Sequence, residues 1–531
     1  MVSRIGLPEG EAATVKHGGR SLALAVLCVV LFLTFLDNTI VSVALGNIQT
    51  HMHAGVEALQ WVVGAYALTF AGAMLGFGMV GDEFGRKRVM IIGIVIFCAG
   101  SVLSALAPNP ALLIAGRAVM GFGAAASEPG TLSMLRHVYT DERERGWAVG
   151  VWTAVSGVAL ALGPVLGGAI IGIFGTWRAI FWFNLVVGAV ALTLCSVVLT
   201  ENSDPDAHRV DVAGTLFGAA AITALAFSVI LAESHGFASP AVIALLCVFV
   251  LGVVAFFWWQ SRTPHPLLDL RFLRVPPFLT ANVVAFCAYF ATFAVFFFTA
   301  LFLDEVVGYS GYRIALIFLP MTVLMVLASV LAGRWTLAVG LHWSILVGSV
   351  LFTAGLLLTA ISISPHPSYL PLAAALALCG IGVGSTVVPA TSSALSAVPA
   401  ERSGMAASTT NTSREIGAVT GVAVLGALVN AELRSDIVAR MQVLGIPKSF
   451  ESVVINGVET GLVPSAGSTP KTGYEAKLVQ EVIQAAYSAF ESGLHAALYL
   501  AAGLALGAGI FSFVLLARSR WHVDAAASKS A

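Results

Sequence analysis

Runs of about 20 apolar residues recur along this entire chain, and they constrain its fold more than any other feature. An α-helix of about 20 residues rises about 30 Å, which matches the hydrocarbon thickness of a bilayer. Only helices and closed β-barrels can satisfy all of their backbone polar groups inside that layer. A barrel would show short alternating segments instead. The sequence therefore predicts an all-α integral membrane protein.

We predict about fourteen transmembrane helices from these runs. The chain is 58% hydrophobic and 10% charged, more apolar than a soluble core of 531 residues requires. The predicted spans are 21–45, 58–78, 88–107, 110–134, 146–172, 179–199, 212–232, 239–260, 278–302, 312–333, 341–362, 369–396, 404–431 and 486–516. We interpret the first run as a retained span, because it carries Asp37 and shows no small-residue cleavage site.

The distribution of lysine and arginine predicts the orientation of the spans, because basic loops stay on the cytoplasmic side. Basic residues precede the first span and then occur in alternate loops. They include Arg20, Arg86, Lys87, Arg88, Arg136, Arg143, Arg145, Arg209, Arg262, Arg271, Arg274, Arg334, Arg402 and Arg518. The opposite short loops offer Arg178 and Arg313. We therefore expect a multi-pass protein of a bacterial inner, or plasma, membrane with both termini in the cytoplasm.

Composition and cysteine usage exclude several classes of protein. The net charge of −1 gives no global field that would attract nucleic acid. All six cysteines fall inside apolar runs, so we interpret them as core residues and not as a disulfide framework or metal site. No pattern of a catalytic triad, metal cluster or phosphate loop is present. We expect neither an enzyme nor a cofactor, and the expected partner from composition is the lipid bilayer.

The turn at 78–88 joins two long apolar runs. Gly78 and Gly85 permit a tight backbone path and close helix approach. Asp82 is not explained by topology, since acids contribute little to orientation. We expect it to make a polar contact, with Arg86 nearby.

Asp37 and Arg117 are predicted to lie at similar depths in the membrane. Asp37 is roughly 24 Å along the first span from its inner end, and Arg117 roughly 10 Å from the outer end of the fourth. In a layer of about 30 Å these depths nearly coincide. The pair is either a structural ion pair or a switch whose partners exchange on protonation.

Two further acids lie inside spans, where charge is expensive. Glu128 is three turns from Arg117 on nearly the same face, and Pro129 follows it. It either contacts a cationic substrate or carries a proton. Alternatively, its carboxyl snorkels toward the cytoplasmic interface or binds the backbone. Glu415 lies near the middle of its span beside Arg414. It is either a proton carrier, since an isolated buried carboxylate takes a proton, or a static partner of Arg414 or a neighbouring span.

The segment 156–168 is rich in glycine and carries no titratable group. Its glycines predict a groove for another helix, and its proline predicts a bend. We interpret it as a tight seal or hinge between halves of the protein. The positions concerned are Gly157, Gly163, Pro164, Gly167 and Gly168.

Several of these motifs together resemble the major facilitator superfamily, and within it the fourteen-span drug:proton antiporter branch. The resemblance covers nearly the whole chain. It rests on segments 36–45, 60–66, 78–88, 117–123, 156–168, 177–184 and 266–274. The chain departs from the family pattern at Glu83, Met120 and Val186, and the loop at 333–335 lacks the usual aspartate.

The resemblance implies a domain organisation. It implies an N-terminal six-helix bundle at 1–200, a linker with two inserted spans at 201–277 and a C-terminal six-helix bundle at 278–516. An external loop at 432–485, where Asn456-Gly457 would suit a hairpin, and a cytoplasmic tail at 517–531 complete the chain.

The resemblance also implies a proton-coupled exporter of hydrophobic or cationic drugs that works by alternating access, with protons and a small amphipathic substrate as its partners. We expect a functional monomer. It places Asp82 and Arg86 in a cytoplasmic gate and Asp37 and Arg117 in the cavity; its span-thirteen acid matches Glu415. Two alternatives remain. One is an exporter of an endogenous lipid, fatty acid or secondary metabolite, and the other is a nonconcentrative facilitator or channel.

Overall fold

The computed structural model describes residues 17–54, 56–201, 211–236, 238–309, 311–364, 367–399, 402–443 and 474–530. Within these ranges the ordered elements are helices, without a β-strand, which confirms the all-α fold. The helices are α1 (His17–Ile40), α2 (Leu45–Met52), α3 (Val56–Phe84), α4 (Arg86–Ala105), α5 (Pro110–Val138), α6 (Glu142–Phe174), α7 (Arg178–Val198), α8 (Val212–His235), α9 (Pro240–Gln260), α10 (Pro276–Glu305), α11 (Gly311–Val339), α12 (Leu341–Ser362), α13 (Tyr369–Ser396), α14 (Ser403–Val443) and α15 (Tyr474–Ser530). Short 3₁₀ turns occur at Val41–Ala44, between α1 and α2, and at Phe272–Arg274.

Twelve helices in the described part of the chain are long and apolar enough to cross a membrane. One of them is continuous from α1 through the 3₁₀ turn into α2. The predicted spans 146–172 and 404–431 coincide with α6 and α14, which are not among the twelve. Arg414, Glu415 and many hydroxyl side chains make α14 comparatively polar. The membrane-spanning fold is therefore confirmed, whereas the total of fourteen is not.

The predicted loop 432–485 is partly helical, because α14 continues to Val443 and α15 begins at Tyr474. The Asn456-Gly457 hairpin lies outside the described residues. Through the predicted tail at 517–531, α15 continues as far as Ser530. Long apolar stretches mark where a helix crosses the bilayer, but they do not mark where the helix ends.

Two apolar cores organise the helices, and we call α1–α7 the first half and α10–α15 the second half. The smaller core lies within the second half. The larger core fills the first half and reaches Val388 and Met405 of the second. Between the halves, α6 packs on α11 and α13, and α14 packs on α3 and α5. The α8–α9 pair packs on α3, and α8 also touches α14.

The connections between helices meet in contacts at one end of the molecule. Arg136 in the last turn of α5 donates to the carbonyl of Val398 after α13, at 2.7 Å. Arg402 before α14 pairs with Asp269 before α10, at 2.7 Å. We call this the basic end, because it carries the arginines of the alternate loops. The halves are closed against each other there.

Candidate functional site

A fully buried ion pair joins Asp37 of α1 to Arg117 of α5, as their predicted depths required. The amide of Asn184 in α7 donates to the second carboxylate oxygen of Asp37 at 2.6 Å. Arg117 donates from Nε to the carbonyl of Val62 at 3.0 Å, and its guanidinium lies 4.5 Å from the ring centre of Tyr66. Neutral and charged partners thus compensate both buried charges.

Asn184 is a member of this site that the sequence motifs did not single out as functional. It is fully buried, and an amide inside the apolar run 179–199 was the signal available. One nitrogen of Arg117, Nη2, is buried without a hydrogen-bond partner. The site therefore retains one unused donor inside the first half.

A second polar cluster surrounds Arg414 of α14, which is 2% exposed. Its guanidinium donates to Asn411 Oδ1 at 3.2 Å and to the hydroxyl of Thr391 in α13. It lies 5.3 Å from the ring centres of both Trp152 in α6 and Tyr289 in α10. A cation therefore sits between aromatic rings that come from opposite halves.

Glu128 and Glu415 approach this cluster from opposite halves of the protein. They are 1% and 6% exposed, and Glu128 Oε2 has no hydrogen-bond partner. The Glu128 carboxyl is close enough to Glu415 and Arg414 to interact with both charges. Among the described residues, neither acid has a basic nitrogen within 4.0 Å. Two buried carboxyls without a direct ion pair can therefore exchange protons or accept a cation.

At the basic end, Asp82 links α3 to both α4 and α14. Arg86 donates to Asp82 through Nε at 2.9 Å and Nη2 at 2.7 Å. The Asp82 carboxylate lies against Gly404 in the first turn of α14, where a Cβ would collide with it. A Cβ on Gly78 would collide with Ser408 of the same helix. An anion at a helix N-terminus is stabilised by the unpaired N–H groups there, so Asp82 joins the two halves.

The turn between α3 and α4 requires glycine at position 85. Gly85 has φ +101°, and a Cβ there would lie 2.7 Å from the carboxylate of Glu201. Glu201 accepts from the backbone N–H groups of Lys87 and Arg88 at 3.1 and 3.2 Å, and so caps α4. Lys87 in turn donates to the carbonyl of Leu199 at 2.6 Å. The sequence motifs did not single out Glu201, because this contact joins distant parts of the chain.

The predicted hinge residues all lie in α6: Gly157, Gly163, Pro164, Gly167 and Gly168. Gly157 faces Met325 of α11 in the second half. Gly163 and Gly167 instead pack against Ile40 of α1, within the first half. The segment therefore seals two different interfaces.

Asp269 forms a charged junction outside the membrane-spanning helices. It accepts from Arg271 and from Arg402, at 2.8 and 2.7 Å. The hydrogen bonds from Arg271, followed by that from Arg402, lower the pKa of Asp269. The carboxylate stays charged near neutrality, and its stabilising contribution is lost only as the pH falls through the lowered pKa.

The chain matches the family profile described as "Major Facilitator Superfamily" over residues 27–422. It is 34% identical to the multidrug resistance protein Stp of Mycobacterium tuberculosis, over 77% of this chain and 75% of the relative. It is 32% identical to the methylenomycin A resistance protein of Bacillus subtilis, over 79% of this chain and 90% of the relative. It is 28% identical to the multidrug efflux pump LfrA of Mycolicibacterium smegmatis, over 94% of this chain and 97% of the relative.

Solved structures share the fold at low sequence identity. The human organic anion transporter MFSD10 (TETRAN) aligns with a TM-score of 0.60 and 14% identity, over 93% of this chain and 99% of that one. A bacterial homologue of the human lysosomal transporter Spinster, inward-facing and unoccupied, aligns with a TM-score of 0.55 and 16% identity, over 94% and 97%.

Proposed function

The chain belongs to the Major Facilitator Superfamily, and from this premise we propose that it is a proton-coupled antiporter that exports hydrophobic or cationic drugs. Relatives that align with most of the chain are multidrug resistance and efflux proteins. The observation that carries the proposal is the pair of buried acids, Glu128 and Glu415, which come from opposite halves and interact electrostatically with each other and with Arg414.

Proton entry supplies the driving force in this proposal. Glu415 is the main proton-coupling group, with Glu128 and Asp37 as further carriers. A proton that crosses inward at 100 mV, inside negative, releases about 2.3 kcal/mol. Proton and cation compete for the same carboxylates, so binding of one favours release of the other. The Asp37–Arg117 pair forms the rest of the cavity wall.

Alternating access follows from movement of the two bundles, at 1–200 and 278–516, with the inserted pair at 201–277 beside them. Gly78, Asp82, Gly85 and Arg86 form the gate, and the glycine segment of α6 is the hinge. We place the basic end in the cytoplasm, in agreement with the positive-inside rule. The proposal is for a monomeric, non-enzymatic protein of a bacterial plasma membrane with both termini inside.

Transport under an imposed pH gradient in proteoliposomes tests the proposal against its alternatives. A facilitator would equilibrate a labelled cation without responding to a pH gradient, whereas an antiporter would accumulate it against its own gradient. Export of an endogenous lipid or secondary metabolite by the same machinery would appear as gradient-driven transport of that compound in preference to drugs. Gradient-independent equilibration of every substrate would contradict the proposal.

Replacing Glu128 with glutamine should change selectivity more than turnover. The buried carboxylate attracts a cation strongly where the dielectric is low, so its loss should weaken export of permanent cations about tenfold. Neutral substrates should be exported nearly as before. Paired efflux of one cationic and one neutral compound from the same cells measures this. Equal loss of both would show that Glu128 serves mainly in proton transfer or structure and not in recognition of the cation.

Replacing Asp82 with asparagine should slow turnover about tenfold and leave equilibrium substrate binding largely intact. The change removes the charge at the first turn of α14 and weakens the bond to Arg86, so the closed basic end loses stability. Initial transport rates and binding isotherms measure the two effects separately.

Arg88→Gln is the matched control, because Arg88 is 75% exposed and contacts Glu201 instead of Asp82. It should transport like the unaltered protein. A fall in binding with unchanged cycling of bound substrate in Asp82→Asn would make this turn a binding element, contrary to the gate assignment.

A further inference from the structure

Arg414 is a buried cation whose direct partners are neutral. It donates to an amide and a hydroxyl oxygen, and it lies between the faces of Trp152 and Tyr289. Its Nε is buried without a hydrogen-bond partner. Arg117, by contrast, has Asp37 as a direct counterion. Burying a charge without a counterion is costly, so Arg414 is predisposed to accept an anion.

The net charge around Arg414 depends on how many protons the site holds. The titratable side chains that interact electrostatically within this cluster are Glu128 from α5, Glu415 from α14, Tyr289 from α10 and Tyr66 from α3. The neighbouring part of α13 contributes the uncharged Thr391. When the tyrosines are neutral, the net charge of Glu128, Glu415 and Arg414 together is −1 with both acids ionised. It becomes zero when one acid takes up a proton and +1 when both do.

We propose that Arg414 is a binding site for the anionic group of amphipathic monoanions, such as aryl sulfonates and carboxylates; this rests on the proposed function. The unpartnered Nε–H offers a directed donor, and guanidinium groups recognise such oxyanions by charge-assisted hydrogen bonds. The rings of Trp152 and Tyr289 supply apolar walls for the rest of the ligand. One polar cluster thus serves cations at its acids and anions at its arginine.

Cations and anions must then depend on pH in opposite directions. As the pH falls, Glu128 and Glu415 take up protons and the cluster charge rises from −1 toward +1. Cation binding weakens, because protons compete for the carboxylates. Anion binding strengthens, because the acids no longer neutralise Arg414. Proton binding therefore favours binding of the anion and disfavours binding of the cation.

Two permanently charged bicyclic aromatics of similar size make a matched pair of probes, N-methylquinolinium and 2-naphthalenesulfonate. Their binding to the purified protein in nanodiscs is measured by calorimetry between about pH 6 and about pH 8, with empty nanodiscs as the blank. We expect the sulfonate to bind about tenfold more tightly at the lower pH, and the quinolinium about tenfold more weakly.

Arg414→Gln should lose sulfonate binding and retain quinolinium binding. The double variant Glu128→Gln/Glu415→Gln replaces both acids with uncharged amides, which mimic the protonated acids, and keeps Arg414. It should bind the sulfonate tightly at every pH, with the pH dependence removed. This second variant tests the site even when Arg414→Gln does not fold.

Sulfonate binding that persists in folded Arg414→Gln, or that follows the pH dependence of the cation, would overturn the inference. So would the absence of sulfonate binding in the double variant. If the quinolinium is bound and exported while the sulfonate does not bind, this inference fails and the proposed function stands. If proton-coupled export of the quinolinium is itself absent, the proposed function fails.

Discussion

Replacing Glu415 with glutamine should abolish proton-driven export of cationic substrates while the protein still folds. The amide conserves the volume of the side chain and removes its ability to titrate. Glu415 is 6% exposed and has no basic nitrogen within 4.0 Å among the described residues, so no ion pair is broken. Export driven by an imposed pH gradient should fall to the rate of empty vesicles. Accumulation of a labelled cation in proteoliposomes measures it.

Glu415→Asp is the matched control, because it keeps a titratable carboxyl in the same turn of α14. It should retain part of the gradient-driven transport. Thermal unfolding of the purified variants shows whether both are folded. Normal gradient-driven transport by Glu415→Gln would remove this residue from the coupling mechanism.

Replacing Arg117 with alanine should destabilise the protein severely. Removing one partner of a buried ion pair typically costs about 3–5 kcal/mol, because the other charge stays buried without compensation. In Arg117→Ala, the carboxylate left without a counterion is that of Asp37, which is fully buried. Of its present partners it would keep only Asn184. We expect a strongly lowered unfolding temperature and little protein in the membrane. Thermal unfolding in detergent and membrane abundance measure the effect.

The double variant Asp37→Asn/Arg117→Gln separates charge from packing. It leaves neither charge unpaired, so it should be more stable than Arg117→Ala. It should still fall short of the unaltered protein, because the contacts of Arg117 with Val62 and Tyr66 are also lost. An Arg117→Ala variant of nearly normal stability would show that the pair contributes little to the fold.

The Asp37–Arg117 contact was predictable from sequence because the position of a residue along a membrane-spanning helix gives its depth in the bilayer. The rise per residue and the thickness of the membrane fix that depth. The polar cluster around Arg414 was not predictable in this way. Glu128 and Glu415 come from helices far apart in the sequence, and only the packing of α14 on α5 brings them together.

Contacts at the helix ends were also beyond sequence reasoning. Glu201 caps α4 and Arg136 binds the carbonyl of Val398, and both contacts join distant connections between helices. Backbone donors and acceptors carry no residue signature, so composition does not reveal them. The positions of α6 and α14 were predicted, and α14 is comparatively polar because it carries Arg414, Glu415 and many hydroxyl side chains.

The account's central claim, that a cation leaves in exchange for protons through Glu415, is tested most directly by the internal pH of proteoliposomes. Vesicles with an acidic interior and a trapped pH-sensitive dye receive N-methylquinolinium outside. We predict saturable alkalinisation of the interior as protons leave in exchange for the entering cation, absent from vesicles that hold Glu415→Gln. Entry of the cation without any change in internal pH, or equal alkalinisation by Glu415→Gln, would contradict the claim.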